Sequence, residues 1–218
     1  MSNIDLREKL IKTACALNTL GLSRGNSGNV SVVIPEGLLI TPTGVPYGNL
    51  EPADIPLLRR DGTYEGKLAP SSEAPFHLAI AKAFPDEAKA IVHCHSPFAT
   101  VLSCSEKIQW DGIPAFHYMV AIAGGNTIRC APYATFGTEE LSRYAVEALR
   151  GRRACLLANH GQIAVGKDLN AALKLAQEVE GLAFEYYHVL SLRDSVILSE
   201  EEMAVVLEKF QTYGQPKK

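Results

Sequence analysis

Between residues 4 and 21 the apolar positions recur every three or four residues. Leu6, Leu10, Ile11, Ala14, Leu17 and Leu20 share one face, which predicts an amphipathic helix, and Gly21 supplies its stop. The pattern then shortens. Apolar runs at 30–34 and 38–40 are divided by Pro35-Glu36-Gly37, the grammar of a hairpin. After the turn-rich stretch Thr41-Pro42-Thr43-Gly44-Val45-Pro46, a strand begins near Ile55-Pro56-Leu57-Leu58 and is broken by Asp61-Gly62. A helix is expected from Ser71 or Ser72, because serine caps helices well and Pro75 is tolerated in a first turn, and it ends at Phe84-Pro85. Residues 90–95 read as a strand, 98 to about 105 as a short helix, and 126–130 as a strand. Thr138 caps a helix that runs to Arg150 before the breaker Gly151. Strands at 154–158 and 162–165 flank Asn159-His160-Gly161. The longest helix covers about 169–190, with Leu169, Ala172, Leu173, Ala176, Val179, Ala183 and Tyr186 on one face. Ser199 opens a final helix, with Glu202 completing a capping box.

Strands and helices do not alternate strictly, and several strands are neighbours in sequence. That order predicts a three-layer α/β/α fold around a central, mainly antiparallel sheet, as one domain over 1–218. At 218 residues, 47% hydrophobic and 21% charged, the chain has the composition of a folded globular protein. A net charge of −3 argues against nucleic acid as a partner, since phosphate-backbone binders carry a basic excess. No apolar run approaches the roughly 20 residues of a membrane span, and the first nine residues lack a signal-type core. Cys15, Cys94, Cys104, Cys130 and Cys155 are scattered among apolar residues without a C-x-x-C. They read as small buried hydrophobes in a reducing, cytoplasmic compartment.

Chemistry concentrates in His93-Cys94-His95. Alternate residues of a strand face the same way, so both imidazoles meet one site while Cys94 faces the opposite layer. His160, at a strand end beside a glycine, can join them. Three histidines make a transition-metal site, with Zn²⁺ the default. Glu73 and His77, four residues apart on one helix face, are both candidates for a fourth ligand. A second group of segments is small and rich in hydrogen-bond donors: the loop from Arg24 to Asn29, Thr41-Pro42-Thr43-Gly44, and Ser71-Ser72 before a helix N-terminus. These suit an anion such as phosphate. The chain holds no G-x-x-x-x-G-K-[ST], no dinucleotide fingerprint and no G-x-S-x-G elbow.

Five motifs occur in order: Gly28-Asn29-Val30-Ser31, Ile40-Thr41-Pro42-Thr43-Gly44, Ser71-Ser72-Glu73, His93-x-His95 and Asn159-His160-Gly161. Together they resemble the class II aldolase/adducin-head family over about residues 5–214. The segments 113–119, 130–137 and 208–214 bring the chain nearest to its L-fuculose-1-phosphate aldolase branch. The resemblance implies a nine-stranded type of antiparallel sheet and a cyclic homotetramer with active sites at subunit interfaces. It also implies one Zn²⁺ per subunit, held by Glu73, His93, His95 and His160. Gly28, Asn29, Thr43, Gly44, Ser71 and Ser72 match the family's phosphate cradle. Glu73 doubles as acid/base, and Tyr118 matches a tyrosine that reaches a neighbouring subunit's site. Phe136, Phe210 and Tyr213 match residues near the aldehyde pocket, the last two on a C-terminal tail expected to be mobile from about residue 208.

The implied reaction is reversible cleavage of a ketose 1-phosphate, a small phosphorylated sugar, to dihydroxyacetone phosphate and an aldehyde. L-Fuculose 1-phosphate would yield L-lactaldehyde. The competing substrates are 5-deoxyribulose 1-phosphate and 5-methylthioribulose 1-phosphate, whose short apolar ends suit Phe136 and Phe210. Related zinc enzymes, 5-methylthioribulose-1-phosphate dehydratase or a pentulose-5-phosphate 4-epimerase, are the alternative reading. A non-catalytic adducin-like scaffold has no reason to keep Glu73, His93, His95 and His160 together. The apolar run 113–123, which contains Tyr118, is a candidate for burial between subunits.

Overall fold

The structure is a computed structural model that describes residues 3–192 and 195–212. Helix α1 (Asn3–Thr19) uses its apolar stripe as the spacing requires: Leu10, Ala14 and Leu17 are buried, Leu6 and Ile11 pack at the margin, and Leu20, past the helix end, is exposed. Strands β1 (Asn29–Ile34) and β2 (Gly37–Ile40) form the expected hairpin, with Ser31 opposite Ile40. β3 (Leu57–Arg59) and β4 (Tyr64–Glu65) continue the sheet to one edge. Helix α2 (Ala74–Ala83) then leads to β5 (Ala90–Cys94), which lies beside β1. After α3 (Pro97–Ser103) and α4 (Glu106–Asp111), β6 (Ile113–Pro114) and β7 (Thr127–Ile128) make a separate two-stranded ribbon around a short 3₁₀ segment, Tyr118–Ala123. The remainder is β8 (Cys130–Ala131), α5 (Glu139–Ala148), β9 (Ala154–Leu157), β10 (Gly161–Gly166), α6 (Leu169–Val189) and α7 (Glu200–Thr212).

The main sheet has eight strands in the order β4-β3-β2-β1-β5-β10-β9-β8. Every pairing is antiparallel except β8 with β9, which gives the central, mainly antiparallel sheet read from the sequence. Strand alternation sorts side chains into two layers. Val30, Val32, Val92, Cys94, Leu156 and Ala164 join α1, α3 and α6 in the larger core. Ile91, Cys155, Leu157, Ile163 and Val165 face α2 and α5. Burying each such aliphatic chain contributes about 1.5–3 kcal/mol, so both faces are firmly clamped. No helix of the described residues is long and apolar enough to cross a membrane.

Several expectations need correction. The sheet has eight strands among the described residues rather than nine. Helix α2 begins at Ala74, with Glu73 as its N-cap residue. Ser71 Oγ accepts a hydrogen bond from the Glu73 N–H (3.2 Å), which bends Ser71 to Glu73 into a turn before the helix starts. The helix expected at 98–105 is α3, and a second helix that was not expected, α4, follows it with no apolar periodicity to announce it. The 126–130 strand is broken at Arg129, because Thr127–Ile128 pairs with β6 while Cys130–Ala131 joins β9. Cys104 is exposed, although Cys94 and Cys155 are buried apolar fillers as expected. The apolar run around Tyr118 is consumed within the chain: Val120 and Ala123 join the main core, and Ala121 packs with Ala115 against Met203 of α7.

Candidate active site

Three loops and two strand ends converge over the α2/α5 face of the sheet. The loop before β1 turns at Gly28 (φ +87°), where a Cβ would stand 2.7 Å from the carbonyl of His93. Only glycine lets this loop lie so close to β5. The loop after β2 is stitched to the one before α2: Thr43 N–H donates to Ala69 O (3.1 Å) and Ser71 N–H to Thr41 O (3.0 Å). Tyr47, buried in this region, donates its hydroxyl hydrogen to Gly28 O (2.5 Å) and fixes the first loop from below. Burial, and then the Glu73 charge, push the Tyr47 hydroxyl above its ordinary pKa, so it stays a donor.

Strand β5 sends His93 towards α2, where its ring meets Phe76 edge-on, and His95 follows just beyond the strand. His160 sits in the β9–β10 turn, where Asn159 takes a left-handed φ of 55°. Gln109 of α4 donates to the Asn159 side-chain oxygen (2.9 Å), and Ser103 Oγ accepts from the His160 N–H (3.4 Å). At Gly161 a Cβ would stand 2.4 Å from Cys94 O and 3.1 Å from the His95 ring, so a side chain there would push the two strands apart.

Glu73, His93, His95 and His160 thus meet, each offering an atom within 4.8 Å of the others. His93 Nδ1–H donates to Gln162 O (2.9 Å), and its Nε2 faces Glu73 Oε2 at 3.2 Å and His95 Nε2 at 3.1 Å. Glu73 Oε1 is buried with no hydrogen-bond partner among the described residues, 3.3 Å from His160 Nε2. One carboxylate and three imidazoles converging on a single point in a largely buried space fit a divalent metal with nitrogen and oxygen preferences. Burial opposes charge on Glu73, but His93, His160 and the Asn29 amide together hold its carboxyl well below the usual carboxylate range. His95 and His160 are pulled down to about 4, by burial first and then by His93, so both imidazoles are neutral near pH 7. His77, by contrast, is no member of the group. It is fully buried, lowered to about 3 by burial and His93, and its ring nitrogens are taken by Ser31 and Asn29.

A cavity of about 220 Å³ opens onto this cluster. Gly28, Asn29, Thr43, Gly44, Ser71 and Ser72 line it together with Glu73, His95, His160 and Phe136. No lysine or arginine lines it among the described residues, so an anion there would be met by loop N–H groups, hydroxyls and the start of α2.

Comparison with known proteins shows the family of the chain. Residues 8–187 match the model of the Class II Aldolase and Adducin N-terminal domain. The chain is 53% identical to the 5-methylthioribulose-1-phosphate/5-deoxyribulose-1-phosphate aldolase of Rhodospirillum rubrum, across 98% of this chain and 94% of that one. It is 48% identical to the L-fuculose phosphate aldolase of Escherichia coli, across 98% of both. A solved L-fuculose 1-phosphate aldolase superposes with a TM-score of 0.89 at 38% identity, covering 97% of this chain and all of that one.

The chain belongs to the class II aldolase family. It is an enzyme, a metal-dependent aldehyde-lyase. Within this class II aldolase the other expected residues are dispersed. Phe136 stands exposed at the cavity mouth. Tyr118 is half exposed at the start of the 3₁₀ segment and does not line the cavity. Phe210 of α7 packs on Ala115, Ala121 and Met203, and Tyr213 lies outside the described residues. Sequence reading missed Tyr47, which stood in a turn-rich stretch with no pattern to mark it. It also left the task of His77 open, since the partners of that ring are 46 and 48 residues away.

Proposed function

We propose that this aldolase reversibly cleaves a ketose 1-phosphate into dihydroxyacetone phosphate and an aldehyde. The observation that carries the reading is the Glu73–His93–His95–His160 cluster opening into a cavity lined by donor-rich loops. Those loops bind the phosphate through Gly28, Asn29, Thr43, Gly44, Ser71 and Ser72, leaving the ketose carbons over the cluster. Glu73, His93, His95 and His160 hold one Zn²⁺ per subunit, which supplies Lewis acidity towards the negative charge left on the three-carbon fragment. Breaking C3–C4 requires two proton movements. As C3–C4 breaks, Tyr118 of a neighbouring copy takes the C4 hydroxyl proton, and a proton taken up from solvent is passed by way of Glu73 to C3. The half-exposed position of Tyr118, away from its own chain's cavity, supports a cyclic homotetramer with shared sites. Five free cysteines suit a reducing, cytoplasmic setting.

Among substrates, the 5-deoxypentulose 1-phosphates stand ahead of L-fuculose 1-phosphate. The relative at 53% identity carries those substrates in its name, and Phe136 offers an apolar wall to a short apolar aldehyde. A panel of 5-deoxyribulose, 5-methylthioribulose and L-fuculose 1-phosphates, with dihydroxyacetone phosphate measured by a coupled assay before and after chelation and Zn²⁺ re-addition, tests this. The expected result is release from the 5-deoxypentulose compounds that chelation abolishes and zinc restores. Release from none of the three would overturn the reading.

A further inference from the structure

A buried polar chain runs beneath the cluster, and each member dictates the next. The Asn29 side-chain nitrogen can only donate, and it donates to Glu73 Oε2 (2.8 Å). The Asn29 oxygen must then face the other way, where His77 Nε2 lies at 2.5 Å. An amide oxygen can only accept, so His77 Nε2 carries the hydrogen. Its Nδ1 is therefore bare and accepts from the Ser31 hydroxyl (2.7 Å). The geometry follows from two simple periodicities. Asn29 and Ser31 are two apart on β1 and share a face, while Glu73 and His77 are one helical turn apart at the start of α2. Ser31, His77, Asn29 and Glu73 are all buried, so water has little access to replace a missing partner.

We propose that Ser31, His77 and Asn29 form a directional hydrogen-bond relay that fixes the orientation of the Asn29 amide and so holds the Glu73 carboxylate in register with the three histidines. His77 is a positioning residue: it touches neither metal nor substrate. If the Asn29 amide were reversed, its oxygen would oppose the Glu73 oxygen at 2.8 Å, and His77 is the group that prevents this. An aromatic or aliphatic residue at 77 fills the space but leaves the amide free to turn. The kinetic consequence rests on the aldolase reading above; the direction of the relay does not.

Two measurements test the relay. In metal-free protein labelled with ¹⁵N-histidine, long-range ¹H–¹⁵N spectra report which ring nitrogen is protonated, and the His77 signals are assigned by their absence from His77→Asn. The expected form is neutral with hydrogen on Nε2. Hydrogen on Nδ1 would overturn the proposal whatever the enzyme turns over. The second measurement compares His77→Gln, whose amide nitrogen can reach the Nε2 position and still donate to Asn29, with His77→Asn, which can reach only Ser31. With zinc bound, His77→Asn lowers kcat about 10–100-fold with KM nearly unchanged, and it weakens zinc retention against a chelator by a similar factor. His77→Gln recovers most of both. Equal behaviour of the two variants, whether both impaired or both unaffected, would show that His77 serves packing alone.

Discussion

The cluster around Glu73 and the face around Tyr118 and α7 both contain a histidine, aromatic rings and a buried apolar floor, yet folding completes only the first. His93 is held by Gln162, Glu73 by Asn29, His160 by the turn that Gln109 and Ser103 brace, and the first cavity loop by Tyr47. At the second face, Val120, Ala121 and Ala123 are packed away, while the Tyr118 ring stacks loosely on His117 and remains half in solvent. One region spends its hydrogen bonds on positioning. The other leaves Tyr118 half in solvent. A site that manages charge needs preorganised donors within one chain, whereas a group that meets only part of the substrate can be delivered from elsewhere.

The sharpest way to break that contrast is to disable each region separately. His95→Ala removes a cluster ligand and should cut turnover by about 10³-fold or more, with zinc content falling in parallel by metal analysis. Tyr118→Phe should lower kcat by about 10²-fold with zinc content and melting temperature unchanged. Co-assembled His95→Ala and Tyr118→Phe chains should regain part of the lost activity, since some sites then combine an intact cluster with an intact tyrosine. Mixed oligomers that form and stay inactive would remove Tyr118 from the neighbour's site.

A middle-sized effect is expected at the glycines. Gly28→Ala adds a Cβ 2.7 Å from His93 O at a φ of +87°, costing about 2 kcal/mol and lowering the melting temperature by roughly 4–8 °C. Gly181, exposed on α6, has nothing within 4 Å of its would-be Cβ. There the same substitution should raise the melting temperature by roughly 2–4 °C, through helix propensity alone. Scanning calorimetry of the two variants checks both signs.

A graded effect is expected in pH. Burial, then His93, hold His77 at about 3, below its ordinary 6.5, so the folded state binds fewer protons than the unfolded one. Stability contributed this way is intact above about pH 6.5 and is lost as pH falls towards the folded value, by up to about 1.4 kcal/mol per pH unit. Metal-free wild type should therefore lose melting temperature between pH 6.5 and 4.5 more steeply than His77→Asn. Parallel slopes would mean that His77 is already protonated in the fold.

Much of the architecture was legible because period and punctuation agreed. The stripe of α6, the hairpin around Pro35-Glu36-Gly37 and the Thr138 cap of α5 are local signals, each contained in a short run of residues. His93 and His95 could be placed on one side of a strand for the same reason. What stayed hidden depends on long-range contact. Neither α4 nor the 3₁₀ segment at Tyr118 has a period of its own, and the start of α2 was moved two residues by a turn that Ser71 makes with Glu73. Glu73 and His77 were equivalent on a helix face until β1 supplied Asn29 and Ser31 to tell them apart. The apolar stretch 113–123 looked available for a partner because sequence does not show that α7 returns to cover it.

The outermost strands of the sheet bear on how copies of this chain can meet. β4 is two residues long and carries Glu65 paired with Arg59, and β8 is two residues long and is followed by Pro132. Short, charged or proline-terminated borders give another chain's backbone little to pair with, which is how soluble β proteins resist aggregation. Any contact between copies would then be made by side chains, whose fit is specific and whose number is bounded by shape, rather than by adding strands without limit.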